Sequence, residues 1–196
     1  NLDNKDIYEI FDYAEFLKNN EKFKESILYY AKVIDKIKKN HPLYVESTDG
    51  RGVAYERIGE WEKAEKDLLA SLEVNPDQAY VLNYLAYSWL EREYKINEAI
   101  KMLEIAYEAE SDDPYIIDSI GWAYYLINDF SKAEEFLIRA VELMPDDPIV
   151  NDHYGDVLWK LDRKIQARYF WSNVLLMNDV EDEIINKINS KLIQGL

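Results

Sequence analysis

A small residue returns at a nearly fixed interval along this chain: Ala14, Gly52, Ala86, Gly121 and Gly155, at steps of 38, 34, 35 and 34. A second small residue follows each after 12 or 13 positions: Ser26, Ala64, Ala99, Ala133 and Ala167. Three residues before the second member stands Phe23, Trp61, Ile96 or Phe130, with Lys164 in the fifth unit. A period near 34 constrains the fold more than any single motif. Each unit is one supersecondary element that cannot bury its apolar face alone, so stacking of neighbours supplies the core.

Apolar periodicity places two helices in each unit. First (A) helices are expected near 5–18, 43–57, 79–91, 115–127 and 148–161, and second (B) helices near 22–38, 61–74, 96–109, 130–143 and 164–177. The Asp-Asp-Pro runs at 112–114 and 146–148 supply an N-cap and a proline in the first turn. Between Glu181 and Ile193 lies one further amphipathic helix. Ile184, Ile185, Ile188 and Leu192 form its stripe, and Lys187, Asn189 and Lys191 lie off it. Such a helix is expected to cover the open end of a stack. No comparable helix precedes the first repeat, which reads as a segment cut from a longer chain.

The fragments GVAYERIGEWEKAEKDLLASLEVNP at 52–76 and GWAYYLINDFSKAEEFLIRAVELMP at 121–145 resemble the tetratricopeptide repeat, or TPR, a helix–turn–helix unit of about 34 residues. The resemblance implies an all-α, right-handed TPR solenoid with a C-terminal capping helix. It would be a single domain over 1–196, with repeats near 5–40, 43–76, 79–112, 114–146 and 148–179 and a cap at 181–193. VLNYLAYSWLERE at 81–93, PYIIDSIGWAYY at 114–125 and NDHYGDVLWKLDRKIQARYFW at 151–171 further resemble the C-terminal repeats of a proteobacterial TPR family. The additional residue between Ala86 and Ala99 resembles a longer turn found there in that family. Some of its members are outer-membrane lipoproteins that act as adaptors of a carboxyl-terminal processing protease in the periplasm. The resemblance therefore implies a periplasmic or outer-membrane-associated setting, with the cytoplasm as the alternative.

Charge narrows the partner. The chain has 23 basic and 39 acidic residues, a net charge of −16, and residues 41–196 carry all of the excess. Nucleic acid and anionic membrane surfaces would be repelled. No apolar run approaches the ~20 residues of a membrane span. The chain has no cysteine, hence no disulfide and no thiolate chemistry. No Gly-x-Ser-x-Gly elbow and no phosphate-binding glycine loop occurs. His153 and Asp156 share a helix face, but Asp152 points elsewhere, so a solvated face is expected there rather than a metal site. Neither catalytic residue nor cofactor is expected.

Tyr55, Trp61, Tyr124, Phe130 and Trp171 occupy the packing positions of the repeat. Tyr80, Tyr87, Tyr115, Trp122, Tyr125 and Trp159 lie elsewhere on the A helices, where the TPR architecture has its inner face. They are either packing between neighbouring A helices or a binding surface. A clamp for an acidic peptide tail, known in some TPR domains, is excluded. The corresponding face offers Phe11, Glu15, Asp49, Val53, Asn83, Tyr87, Asp118, Trp122, Asp152 and Asp156, which would repel a carboxylate. Asp49, Asn83, Asp118 and Asp152 each stand three residues before the small residue of their A helix. That register predicts a solvated line of oxygens able to accept hydrogen bonds from an extended peptide, although an acidic residue early in a helix also simply complements the helix dipole.

The expected function is non-catalytic protein binding, as scaffold or adaptor, with a basic or apolar protein segment as partner. Asp49, Tyr80, Asn83, Tyr87, Tyr115, Asp118, Trp122, Tyr125, Asp152, Asp156 and Trp159 are the predicted contacts. The alternative is a structural or oligomerising segment of a longer protein whose inner face stays empty; homo-oligomerisation is open under both. A regulatory domain of an enzyme encoded upstream is a third reading.

Overall fold

The computed structural model describes residues 6–196, which form eleven helices and no strand among the described residues. They are α1 (Ile7–Asn19), α2 (Phe23–Ile34), α3 (Pro42–Arg57), α4 (Trp61–Val74), α5 (Ala79–Leu90), α6 (Ile96–Ala109), α7 (Pro114–Leu126), α8 (Phe130–Leu143), α9 (Pro148–Lys160), α10 (Lys164–Val174) and α11 (Asp182–Gln194). The chain divides into two compact units, Asn1–Val81 and Leu82–Leu196, with the division inside α5. Most helix bounds fall within two residues of those expected from the repeat. The exceptions are the ends of α2 and α10, which stop short of 38 and 177.

The turn between A and B helices is one device used five times. A residue of left-handed backbone stands seven positions after each first small residue: Glu21, Gly59, Glu93, Asn128 and Asp162. In every unit the next N–H closes the same bond back onto the A helix. Lys22 donates to the Leu17 carbonyl, Glu60 to Tyr55, Tyr94 to Trp89, Asp129 to Tyr124 and Arg163 to Leu158, each at 2.9 Å. The additional residue of the third unit therefore follows the turn itself. It is absorbed by a second left-handed residue, Lys95, at the entry to α6. Asp113 and Asp147 cap α7 and α9 by accepting from Tyr115 and Ile116 N–H, and from Ile149 and Val150 N–H.

From α1 to α4 and from α6 to α11 consecutive helices pack in sequence, and A helices also meet A helices: α1 with α3, and α7 with α9. The small residues make that approach possible. A Cβ on Gly121 would lie 2.6 Å from Leu137 Cγ, and one on Gly155 would lie 2.4 Å from Trp171 Nε1. Ser26, Ala64, Ala99, Ala133 and Ala167 are all fully buried, as are Leu68, Leu137 and Trp171 opposite Gly52, Gly121 and Gly155, and Tyr30 opposite Gly50. The aromatic packing set needs correction. Tyr124 and Trp171 are core, but Tyr55, Trp61 and Phe130 are only half-buried. Trp61 and Phe130 are the first residues of their helices, where only one side of the ring can be covered.

Candidate partner-binding face

In the second unit, α7 and α9 are neighbouring A helices, and the residues that face each other form a layered polar and aromatic cluster. Both oxygens of Asp118 lie 3.0 Å from His153 Nδ1. The His153 ring stacks on Trp122, with centroids 4.1 Å apart and planes at 10°, and Trp122 stacks on Tyr125 at 4.6 Å and 10°. His153 is 3% exposed. Burial pushes its imidazole down, but the Asp118 carboxylate, with Asp152 and Asp156 beyond it, outweighs burial and raises it. Asp118, Asp152 and Asp156 are buried as well. The expectation of a solvated face at His153, and of a solvated line at Asp118 and Asp152, is thereby corrected. The cause is visible in α9, which is buried without a break from Val150 to Leu158 because α7, α8 and α10 all pack against it.

The acidic pair one layer further is satisfied from α11. Lys191 Nζ donates to Asp152 Oδ1 and, at 2.6 Å, to Asp156 Oδ1. Lys187 Nζ lies 3.0 Å from Asp152 Oδ2, and Trp171 Nε1 donates to Asp156 Oδ1 at 3.0 Å. Burial works against the charge of both carboxylates. At Asp152 the two lysines overcome it and the carboxyl is lowered; at Asp156 burial and the Asp152 charge prevail and it is raised. Lys191 is 5% exposed and therefore not off the docking face, as its place in the helical pattern implied. The apolar stripe itself is placed as expected: Ile188 is buried, and Ile184, Ile185 and Leu192 are half-buried. On these helices Asp118, Asp152, His153 and Lys191 are buried against the expectation, whereas Lys187 is exposed off the stripe as expected and reaches Asp152 from there. The signal available was two lysines four apart in a chain whose A helices carry paired aspartates.

The remaining predicted contacts fall into three environments. Tyr115, at the start of α7, is 61% exposed. Asn83 and Tyr87 of α5 are half-buried, and the Tyr87 hydroxyl is raised, chiefly by burial and then by Glu91 and Asp118. Trp159 is half-buried; a Cβ on Gly195 would meet its ring at 2.1 Å, so the segment after α11 lies against it. Two buried atoms on these helices have no hydrogen-bond partner among the described residues, the acceptor Asn83 Oδ1 and the donor Trp122 Nε1. In the first unit, Tyr80 is 60% exposed, and Asp49 is half-buried with its carboxyl raised to about 7, mainly by burial, near Glu15, Lys18 and Glu46. No group of three His, Asp or Glu among the described residues is arranged to hold a metal, and no helix among them is long and apolar enough to cross a membrane.

Residues 116–147, covering α7, α8 and the turn before α9, match the tetratricopeptide repeat family. The chain carries tetratricopeptide repeats. It resembles proteobacterial proteins built from them. A TPR repeat-containing protein of Pseudomonas aeruginosa is 31% identical over 143 residues, which are 73% of this chain and 23% of that protein. A lipoprotein NlpI homolog of Haemophilus influenzae is 29% identical over 99 residues, 50% of this chain and 31% of the relative. The chain thus spans less than a third of the length of either. Among solved structures, MamA of Desulfovibrio magneticus superposes with a TM-score of 0.74 at 18% identity, covering 91% of this chain and 98% of that one. At that identity the likeness shows the fold, which is the all-α TPR solenoid class. The repeats and their relatives support a protein–protein interaction scaffold in general terms.

Proposed function

We propose that the protein is a non-catalytic adaptor that binds a basic or apolar segment of a partner protein on the A-helix face of its second unit, with Asn83, Tyr87, Tyr115, Trp122 and Tyr125 as contacts. The carrying observation is the unpartnered pair Asn83 Oδ1 and Trp122 Nε1. A buried polar atom without a partner costs about 1–3 kcal/mol. Both atoms are shielded from solvent, and a peptide segment that parts the side chains over them would bring the N–H and C=O that this acceptor and this donor need. Tyr115 adds exposed aromatic surface at the start of α7, and the excess of carboxylates disfavours acidic segments. Asp118, Asp152 and Asp156 contribute through the field of the cluster rather than as open acceptors, since their oxygens are already engaged. In the first unit we assign the same role to Tyr80 and Asp49.

Site-specific photocrosslinking in the full-length protein tests this reading. A crosslinking residue at Tyr115 should capture partner, whereas one at Ile138, exposed on α8, should not. Capture at 138 alone would move binding to the B helices and defeat the proposal.

A further inference from the structure

α11 is bound unlike the other helices of the second unit. Only Ile188 and Lys191 are buried in it, whereas α9 is buried continuously over nine residues. Charge holds it alongside its apolar stripe: Lys191 sits between the two buried carboxylates of Asp152 and Asp156, and Lys187 reaches Asp152 from the rim. The lysines lie four apart on one face, with Ile188 between them, so the contact reads a short pattern: lysine, isoleucine, then lysine one turn on. Nothing in that pattern depends on α11 being covalently attached. Without a helix there, Asp152 and Asp156 would lie close together with only His153 and the Trp171 N–H to offset their charge, which makes the face selective for cations on an apolar helix.

We propose that the face beneath α11 is a docking site for a lysine-bearing amphipathic helix of a partner protein, and that α11 is its resident intramolecular occupant. A partner helix enters by displacing α11, reproducing the two ammonium contacts and the buried isoleucine. Displacement has to break the donation from Arg168 to the Leu192 carbonyl, at 2.7 Å, as well as the lysine contacts. The inference rests on the adaptor reading and names a second partner chemistry for the same protein, at the far end of the A-helix series.

The test is a titration of full-length protein with a labelled peptide of residues 181–196, followed by fluorescence anisotropy. Ile188→Asp in the full chain, which ejects α11 but keeps both aspartates, should bind the peptide at least tenfold more tightly than the wild type. A peptide with Lys187→Gln and Lys191→Gln should lose at least tenfold. If Ile188→Asp does not retain its helical content, Lys187→Gln/Lys191→Gln in the full chain opens the same face while keeping the apolar stripe, and the same gain is expected. Equal binding by wild type and variant, or by lysine and glutamine peptides, overturns the proposal. Dimers formed by exchange of α11, seen by light scattering, overturn it in favour of a second copy as the occupant. Failure of partner to crosslink at Tyr115 would leave this titration unaffected, so the two readings fail separately.

Discussion

At the scale of single residues, the close approach of helices is decided by what is missing from Gly155. Its Cα faces the indole of Trp171, which is fully buried and donates to Asp156. Gly155→Ala would ordinarily gain helix propensity of up to about 1 kcal/mol. Here the added methyl has no room, and overpacking should cost about 1–3 kcal/mol, for a net loss measurable by urea denaturation. A gain in stability would show that α9 and α10 are less tightly packed than described. Asp49 gives a pH-dependent counterpart. Its carboxyl is raised to about 7 in the folded protein, so the folded state holds its proton more firmly than the unfolded chain. That contribution is present below about pH 4 and is lost as pH rises towards 7. Asp49→Asn removes the loss. The variant should match the wild type near pH 4 and exceed it by roughly 1–2 kcal/mol at pH 8, after allowing for partial solvent screening. Thermal melts at the two pH values decide this; a constant difference would mean that Asp49 does not titrate in that window.

At the scale of helices, the small-residue register was readable from sequence because it reflects a requirement that recurs identically in every unit. The turns obey the same register, down to a left-handed residue seven positions after each small one. What sequence could not give was which faces the helices cover from several sides at once. An acidic residue on an A helix looks solvated when its helix is considered alone. In α9 it is enclosed, because three helices surround it. The same limit applied to Lys191, which lies off the apolar stripe of its helix yet is buried against Asp152 and Asp156. Removing it should therefore act on one element. Lys191→Ala should expose residues 182–194 to rapid amide exchange while α7 to α10 keep their protection, and a global loss of protection would contradict that assignment. The half-buried aromatics carry less than their place in the repeat implied. Phe130→Ala should cost about 1–2 kcal/mol, below the 3–5 of a fully buried ring.

For the molecule as a whole, the fold class, the helix pairs and the general scaffold role follow from the repeat, whereas the proposed partner chemistry rests on a small number of groups on α5, α7, α9 and α11. The aromatic set on the A helices divides between packed and exposed rings. Trp122 and Tyr125 pack in a stack with His153, and Tyr115 stays open to solvent. Charge alone could not separate them, because the acidic excess includes residues the protein neutralises internally. The central claim is that binding uses the A helices. Hydrogen–deuterium exchange on the full-length protein, with and without its crosslinked partner, measures this most directly. Added protection should appear in α5, α7 and the first turns of α9. Protection confined to α6, α8 and α10, with α5 and α7 unchanged, would contradict the account.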